Sequence, residues 1–426
     1  MHVNSWGRYP APPQTVFCPA IPTSPLKLEG PFLPRGLGRS YGDSCLSPGT
    51  LVDITGWKCF LDWDPETGVV RVESGVSLQQ IIDVLGPRGW LPSVLPGTSQ
   101  VTVGGAIAND IHGKNHHRAG TFGCHVLQFE ILHSDGRRSL CSPEKNPDLF
   151  AATIGGLGLT GTITWADIQL RRISGPLLDC ETLKFKDLSA FFNLCDQSDR
   201  DFEYTVAWLD TAGRGQQLGR GHFIRANHSP ASKQWPKIGP ALQVPFQWPN
   251  WTLNRFSMSV FNWCYYHRQI SRAKSSQPHL NAFFFPLDRV GNWNLIYGSR
   301  GFVQYQCVTP NPQTIEKILL SAGAKGKISF LSVLKRFGSR QSPGLLSFPK
   351  PGYTLAMDFP VTRDLFPLLE SWDEWVMADE GRIYPAKDAR MSPSTFNRQF
   401  PELAAFGRWV DPQIRSYLWQ RLMEEK

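Results

Sequence analysis

Residues 94–114 carry a Pro-Gly turn, the Gly104-Gly105 pair, the small Ala106 and Ala108, an Asn109-Asp110 step, and then His112 and Lys114. Gly104 and Gly105 have no Cβ, so backbone N–H groups there can approach an anion or a flat ring closely. His112 and Lys114 bring a titratable and a cationic side chain to the same place. A lone glycine pair reads as a structural turn followed by a surface histidine. The length of this small-residue run and its charged end favour a cofactor cradle. A second loop, Leu33-Pro-Arg-Gly-Leu-Gly-Arg-Ser-Tyr-Gly-Asp43, sets Gly36, Gly38 and Gly42 among Arg35 and Arg39. Tight turns and two guanidinium groups suit diphosphate oxygens; the plainer reading is a charged surface turn. Residues 154–161, Ile-Gly-Gly-Leu-Gly-Leu-Thr-Gly, form a third such loop. Three of them in one N-terminal region, separated by strands, are more specific than any one. No G-x-G-x-x-G sits between a strand and a long helix, so a dinucleotide bound here lies in extended loops between short sheets.

The elements that must hold these loops follow from periodicity. Residues 51–54, 69–73 and 126–132 read as strands. Ser77 caps a helix whose Leu78, Ile81, Ile82 and Leu85 keep the i, i+3, i+4, i+7 pattern and which ends at Gly86-Pro87. Asp135-Gly136 is a turn, and Asn146-Pro147 opens a short helix. Residues 1–33 are Pro-rich without periodicity and read as an extended arm. From about Ile173 aromatic residues become dense and glycine-rich loops stop, which places a domain boundary there. Residues 301–308 alternate as a strand with Gln304 and Gln306 on one face. Residues 328–334, with Lys335 and Phe337 at the end, and 353–359, with Thr354 and Ala356 inside, are two more strands of an antiparallel sheet. Residues 381–390 form a polar loop before helices over 392–425.

Composition narrows the class. A chain of 426 residues with 41% hydrophobic and 12% aromatic content is a globular chain with room for two domains. There is no apolar run long enough to span a bilayer and no basic-then-apolar leader, so the default compartment is the cytoplasm. Nine cysteines stand singly, with no Cys-x-x-Cys pair, which argues against a disulfide framework or a metal site. The net charge of +8 suits an anionic substrate, cofactor or lipid surface. No dense Lys/Arg run with interleaved aromatics points to nucleic acid.

Several motifs are specific enough to carry a resemblance. They are Arg35-Gly-Leu-Gly-Arg-Ser-Tyr-Gly-Asp43, Leu95-Pro-Gly-Thr98, Gln100-Val-Thr-Val-Gly-Gly-Ala-Ile-Ala108 and Asp110-Ile-His-Gly-Lys-Asn-His-His117, continued by Phe302-Val-Gln-Tyr-Gln306 and Ala386-Lys-Asp388. With them the chain resembles the vanillyl-alcohol-oxidase superfamily and, within it, the decaprenylphosphoryl-β-D-ribose 2′-oxidase family. The resemblance implies an α+β, two-domain FAD-binding PCMH-type fold. An FAD-binding domain would span 1–175, an antiparallel-sheet substrate domain 176–381, and a segment returning to the first domain 382–426. It implies FAD held by Arg35, Gly36, Leu37, Gly38, Arg39, Ser40, Tyr41, Gly97, Thr102, Val103, Gly104, Gly105, Asn109, Asp110, Ile111, His112, Ile163 and Tyr384. Arg39 stands where relatives with covalent flavin have a histidine, which implies non-covalent FAD.

The same resemblance assigns Lys387 and His112 to catalysis and Lys114, Gln304, Gln306, Lys335, Phe337 and Lys387 to the substrate. The implied reaction oxidises the ribose 2′-hydroxyl of a polyprenylphosphoryl-β-D-ribose, the first half of an epimerisation that feeds cell-wall arabinan. A short-chain dehydrogenase that reduces the keto product is the implied partner. The aromatic-rich stretch from Phe246 to Trp293, with the basic excess, suits a greasy mouth in peripheral contact with the inner membrane face, while core is the plainer reading for most of those residues. Two departures stand out: Ala356 replaces the family's benzothiazinone-reactive cysteine, with Thr354 where asparagine is common, and the segment before Leu33 lacks an expected helix. Rival readings are an FAD-dependent sugar, alditol or aldonolactone oxidase and a flavin-free binding protein.

Overall fold

In Val69–Glu73 the side chains of Val70 and Val72 are fully buried while Val69, Arg71 and Glu73 are half-buried, the two-residue period of a strand with one face on a core. The computed structural model describes residues 3–22, 28–230, 235 and 242–423. Val69–Glu73 belongs to an antiparallel sheet ordered Phe60–Trp63, Val69–Glu73, Thr162–Arg172, Val126–Leu132, Arg138–Cys141, with Trp90–Pro92 paired to the far end of Thr162–Arg172. Beside it lies a three-stranded parallel sheet of Thr15–Phe17, Thr50–Asp53 and Phe32–Arg35. Residues 1–33 are therefore not simply an extended arm. Thr15–Phe17 pairs with Thr50–Asp53 over only three positions, too few for alternation to reveal it.

The helix Leu78–Leu85 has the expected cap: Ser77 Oγ accepts from the Gln80 amide and Gln80 Oε1 accepts from the Ser77 amide. Its buried residues are the expected Leu78, Ile81, Ile82 and Leu85. The glycine pair differs from expectation. It lies inside a short helix, Val103–Ala108, capped by Thr102 Oγ1 accepting from the Gly105 amide at 3.1 Å. The Gly104 amide donates to Ser74 O at 2.8 Å. Both N–H groups are thus consumed inside the protein and are not available to an anion.

The second part of the chain builds an eight-stranded sheet ordered Ala273–Ser276, Leu178–Phe185, Gly221–His228, Tyr204–Leu209, Ser332–Phe337, Gly352–Pro360, Phe302–Thr309 and Arg382–Ile383. Every pairing in it is antiparallel, as expected. The strand expected at 328–334 runs instead over Ser332–Phe337. Ser329 exchanges hydrogen bonds with Thr211 Oγ1, and Leu331 O accepts from the Asp358 amide, so 328–331 are held by these separate bonds before the ladder starts. The helices Leu188–Ser198, Pro312–Ala324 and Leu365–Ala378 bury Phe191, Ile318 and Trp372 in one apolar core with this sheet.

The C-terminal residues pack against the N-terminal ones. Arg421 forks onto Asp43 at 2.9 and 3.0 Å and reaches Asp388 at 2.8 Å, and Tyr417 N donates to Leu46 O. Burial alone would raise the Asp43 and Asp388 carboxyls; beside Arg421 and Arg390, Asp388 ends below its usual range. The architecture is α+β. Among the described residues no helix is long and apolar enough to cross a membrane.

Candidate active site

A cleft of about 600 Å³ runs between the two sheets, lined by Ile163 from the first and by Gln304, Gln306, Lys335 and Ala356 from the second. That size falls within the usual range for cofactor and ligand sites, roughly 300–1,000 Å³. One end is the loop after strand Phe32–Arg35. Here the amides of Leu37, Gly38, Arg39 and Ser40 have no acceptor among the described residues. Gly36 lies so close to Thr102 that a Cβ would stand 2.2 Å from Thr102 Oγ1. Gly38 has φ +62°, and a Cβ there would meet Arg35 Nη2 at 2.0 Å. Arg35 Nη2 itself donates to Asn4 O at 2.7 Å, and the Arg39 guanidinium lies 4.1 Å from the Trp6 ring centroid. Further along, Gly97 and Gly158 line the cleft, and a Cβ on either would meet open space. A row of free amides beside side-chain-free wall fits a flat cofactor with a diphosphate.

The other end is crowded with buried polar groups. The loop after strand Arg382–Ile383 is tied to the rest of the cleft wall by three bonds, Tyr384 N to Gln306 O, Tyr384 Oη to Asn109 O and Tyr41 N to Ala386 O, and closed on itself by Lys387 N to Tyr384 O. They place Lys387 Nζ 3.6 Å from the Tyr41 ring centroid. Burial pushes Lys387 down to about 7, opposed by the Asp358 carboxylate and assisted by Lys335. Asp358 is itself pushed up to about 7, first by burial, against the Gln304 amide and Lys387. Gln304 and Asp358 are directly opposite on neighbouring strands and their side chains are hydrogen-bonded.

His112 sits at the centre. Its Nε2 is 3.0 Å from Gln306 Nε2 and its Nδ1 is 3.1 Å from Lys335 Nζ, while Phe337 meets the ring edge-on at 4.8 Å. Burial and then the Lys335 charge hold the imidazole neutral, well below its ordinary range. Lys335 falls to about 7 for the same reason, burial. A neutral imidazole has one donor and one acceptor. If Lys335 is neutral, its lone pair can accept from Nδ1–H while Nε2 accepts from the Gln306 amide nitrogen. If Lys335 is charged, it donates to Nδ1, and Nε2–H needs the Gln306 amide oxygen in place of the nitrogen. A charged Lys335 thus fixes Nδ1 as the acceptor, whereas the neutral amine, with both donors and a lone pair, fits either tautomer.

Lys114, also buried and pushed down to about 7 by that burial, donates to Phe283 O and, at 3.3 Å, to Phe284 O. Its ammonium is committed to these carbonyls, which leaves Lys335 freer to meet an anion.

Of the residues expected at the site, three are absent from the cleft wall. Val103 is fully buried beneath it. Asp110, with φ +39°, turns away: its carboxylate takes the Gly123 amide at 2.8 Å and the hydroxyls of Ser342 and Ser347, and burial still leaves it above the usual carboxylate range against these bonds. Phe337 backs His112 and His116 without reaching the cleft. The remaining expected residues line it. Ala356 lines it too, opposite Gln306, so no thiol stands at that place. Asp358 was missed. Its signal was the two-residue step from Thr354 and Ala356, which puts it on their face of the strand.

Residues 26–142 match the family described as FAD binding domain. The chain is 38% identical to decaprenylphosphoryl-beta-D-ribose oxidase of Mycolicibacterium smegmatis over 398 residues, 89% of this chain and 85% of that protein. It is 32% identical to an uncharacterised protein of Streptomyces coelicolor over 78% of this chain and 94% of that one. A putative D-arabinono-1,4-lactone oxidase of Neurospora crassa is 33% identical over 129 residues, 30% of this chain and 23% of that protein. The full-length likeness, together with the FAD domain, agrees with a cleft built for a flat diphosphate cofactor, and the chain belongs to the decaprenylphosphoryl-β-D-ribose oxidase family of FAD-dependent oxidoreductases.

Proposed function

We propose that this chain oxidises the 2′-hydroxyl of a polyprenylphosphoryl-β-D-ribose to the 2′-keto sugar, the first half of an epimerisation that supplies arabinose lipid for cell-wall arabinan. The observation that carries the reading is Lys387, buried in the cleft wall with its Nζ 3.6 Å from the Tyr41 ring centroid and facing the field of the Asp358 carboxylate, which lines the same cleft. FAD, held non-covalently by the Leu37–Ser40 amides and the glycine wall with Arg39 in the loop, supplies the hydride acceptor. Lys387 as the neutral amine takes the hydroxyl proton, and Asp358 stabilises the ammonium that results. Gln304 and Gln306 orient the sugar hydroxyls. Lys335 meets the phosphate, whose charge favours the protonated lysine and so fixes His112 with Nε2–H as donor.

The product is a ketone, and a short-chain dehydrogenase is the class of partner that reduces it with inverted configuration. A lipid-linked substrate is met at a membrane surface, so the reading includes peripheral contact with the membrane. The lactone-oxidase reading is weaker, since its support covers only part of the chain. Substrate deuterated at C2′ tests the chemistry: flavin reduction should show a primary isotope effect, and an effect from C3′ in its place would refute the site of oxidation.

A further inference from the structure

The helix Arg255–His267 is apolar on the side that faces water. Phe256, Val260 and Trp263, at i, i+4 and i+7, are 78%, 46% and 57% exposed. Met258 and Asn262 on the other side are buried, with Asn262 Nδ2 donating to Ser329 O at 3.1 Å. A helix lying on a water-soluble surface has the reverse arrangement. The flanking chain extends the patch through Leu242, Phe246, Trp251 and Ile270, all exposed. Single exposed apolar side chains are ordinary. Clustering is not: among the described residues, nine of the eighteen large exposed ones lie between Leu242 and Ile270.

Charge identifies what would cover this face. Between Asp210 and Asp288 the sequence has no acidic residue, in a chain that holds 36 of them. Arg255, Arg268, Arg272 and Lys274 stand exposed around the apolar stripe. Apolar and aromatic side chains with exposed cations beside them, on a stretch of chain that carries no carboxylate of its own, match an anionic lipid surface better than an average protein partner. The face also adjoins the cleft: Leu242 and Gln243 pair with Val290 and Gly291, and Gln243, Val290 and Gly291 line the cleft while Leu242 faces out.

We propose that the face from Leu242 to Lys274 docks on an anionic bilayer, with Trp251, Phe256 and Trp263 entering the interface and the four cations meeting headgroup phosphates. The inference rests on the lipid-linked substrate reading for its purpose, but docking itself needs no substrate. Flotation of the FAD-loaded protein tests it, with vesicles of phosphatidylcholine alone and of phosphatidylcholine mixed with phosphatidylglycerol. Binding is expected to the mixed vesicles, weakened by salt, and reduced at least about tenfold by Phe256→Ser with Trp263→Ser while the flavin spectrum is unchanged. No flotation with the mixed vesicles, or equal flotation of the double variant, would overturn it. So would a stable wild-type dimer that Phe256→Ser splits, since a second copy would then cover the face. Flotation without flavin reduction by lipid-linked ribose upholds the docking and removes the substrate reading alone.

Discussion

Lys387 Nζ lies 3.6 Å from the centroid of the Tyr41 ring, joining the C-terminal polar loop to the first glycine-rich loop. A cation over a ring favours the charged amine by roughly 0.5–2 kcal/mol, yet burial outweighs it and brings Lys387 to about 7. Near neutrality this lysine can therefore be the free amine that proton removal requires. Lys387→Met should keep bound FAD and its absorbance, because the glycine wall and the Leu37–Ser40 amides are untouched. The rate of flavin bleaching by substrate should fall by about 10²–10⁴, the usual worth of a general base. Stopped-flow absorbance under anaerobic conditions measures both.

The Asp358 carboxylate raises Lys387, so removing its charge should lower Lys387 further. Asp358→Asn keeps the shape and can still meet Gln304. The rate of flavin reduction should rise with pH through a midpoint near 7 in the wild type, an apparent value belonging to the Lys387–Asp358 pair. In the variant the midpoint should move to lower pH. An unmoved midpoint would show that the pair is not the group the profile reports.

Gly97 separates cofactor binding from folding. Nothing lies within 4 Å of a Cβ there, and its φ is not in the left-handed region. Gly97→Val should leave the apo-protein's stability within about 0.5 kcal/mol. FAD affinity should drop at least about tenfold, because the side chain occupies cleft space that a close-packed ring needs. Flavin fluorescence titration and urea unfolding of the apo-protein check the two halves.

Lys114 and Lys335 are both depressed to about 7 by burial, against 10.5 for the free side chain. Above the folded value the unfolded chain binds more protons than the native one, so stability rises with pH, by at most about 1.4 kcal/mol per unit for each lysine. Asp358, pushed up to about 7, contributes the opposite slope, but that is spent once pH passes its folded value. His112, held neutral, stops contributing above its ordinary range. The buried thiols, raised by burial as at Cys141 and Cys307, oppose the trend only from their ordinary range upward. Between about pH 7 and 8 the lysines therefore dominate. Urea midpoints of the apo-protein should climb across that window, and Lys335→Met should flatten the climb.

One face of this site was legible because strand alternation is a strong signal, while the flavin residues, His112 and Lys387 owe their roles to the resemblance. Gln304 and Gln306 read as one face of a strand, and they do line the cleft. Asp358 escaped because an acidic residue in a strand ordinarily faces water, and only the Gln304 pairing shows what makes its burial tolerable. Gly104-Gly105 read as an open turn because glycine disfavours helix. The Thr102 cap and close contact with Ser74 override that preference. Asp110 was a flavin contact only through the resemblance, yet its backbone turns at φ +39° and sends the carboxylate to Ser342 and Ser347. The aromatic run was expected to be mostly core; Phe283, Phe284 and Phe285 are, whereas Phe246, Trp251 and Trp263 are exposed. Spacing cannot distinguish those two outcomes when both faces are apolar.

Anaerobic bleaching of the bound flavin tests the central assignment most directly, with polyprenylphosphoryl-β-D-ribose compared against free ribose, alditols and aldonolactones at equal concentration. The buried Lys335 beside His112 predicts that the phosphoryl lipid bleaches the flavin, with the free sugars slower by at least about a hundredfold, the worth of a lost charge-assisted contact. Equal or faster bleaching by an alditol or aldonolactone would contradict it.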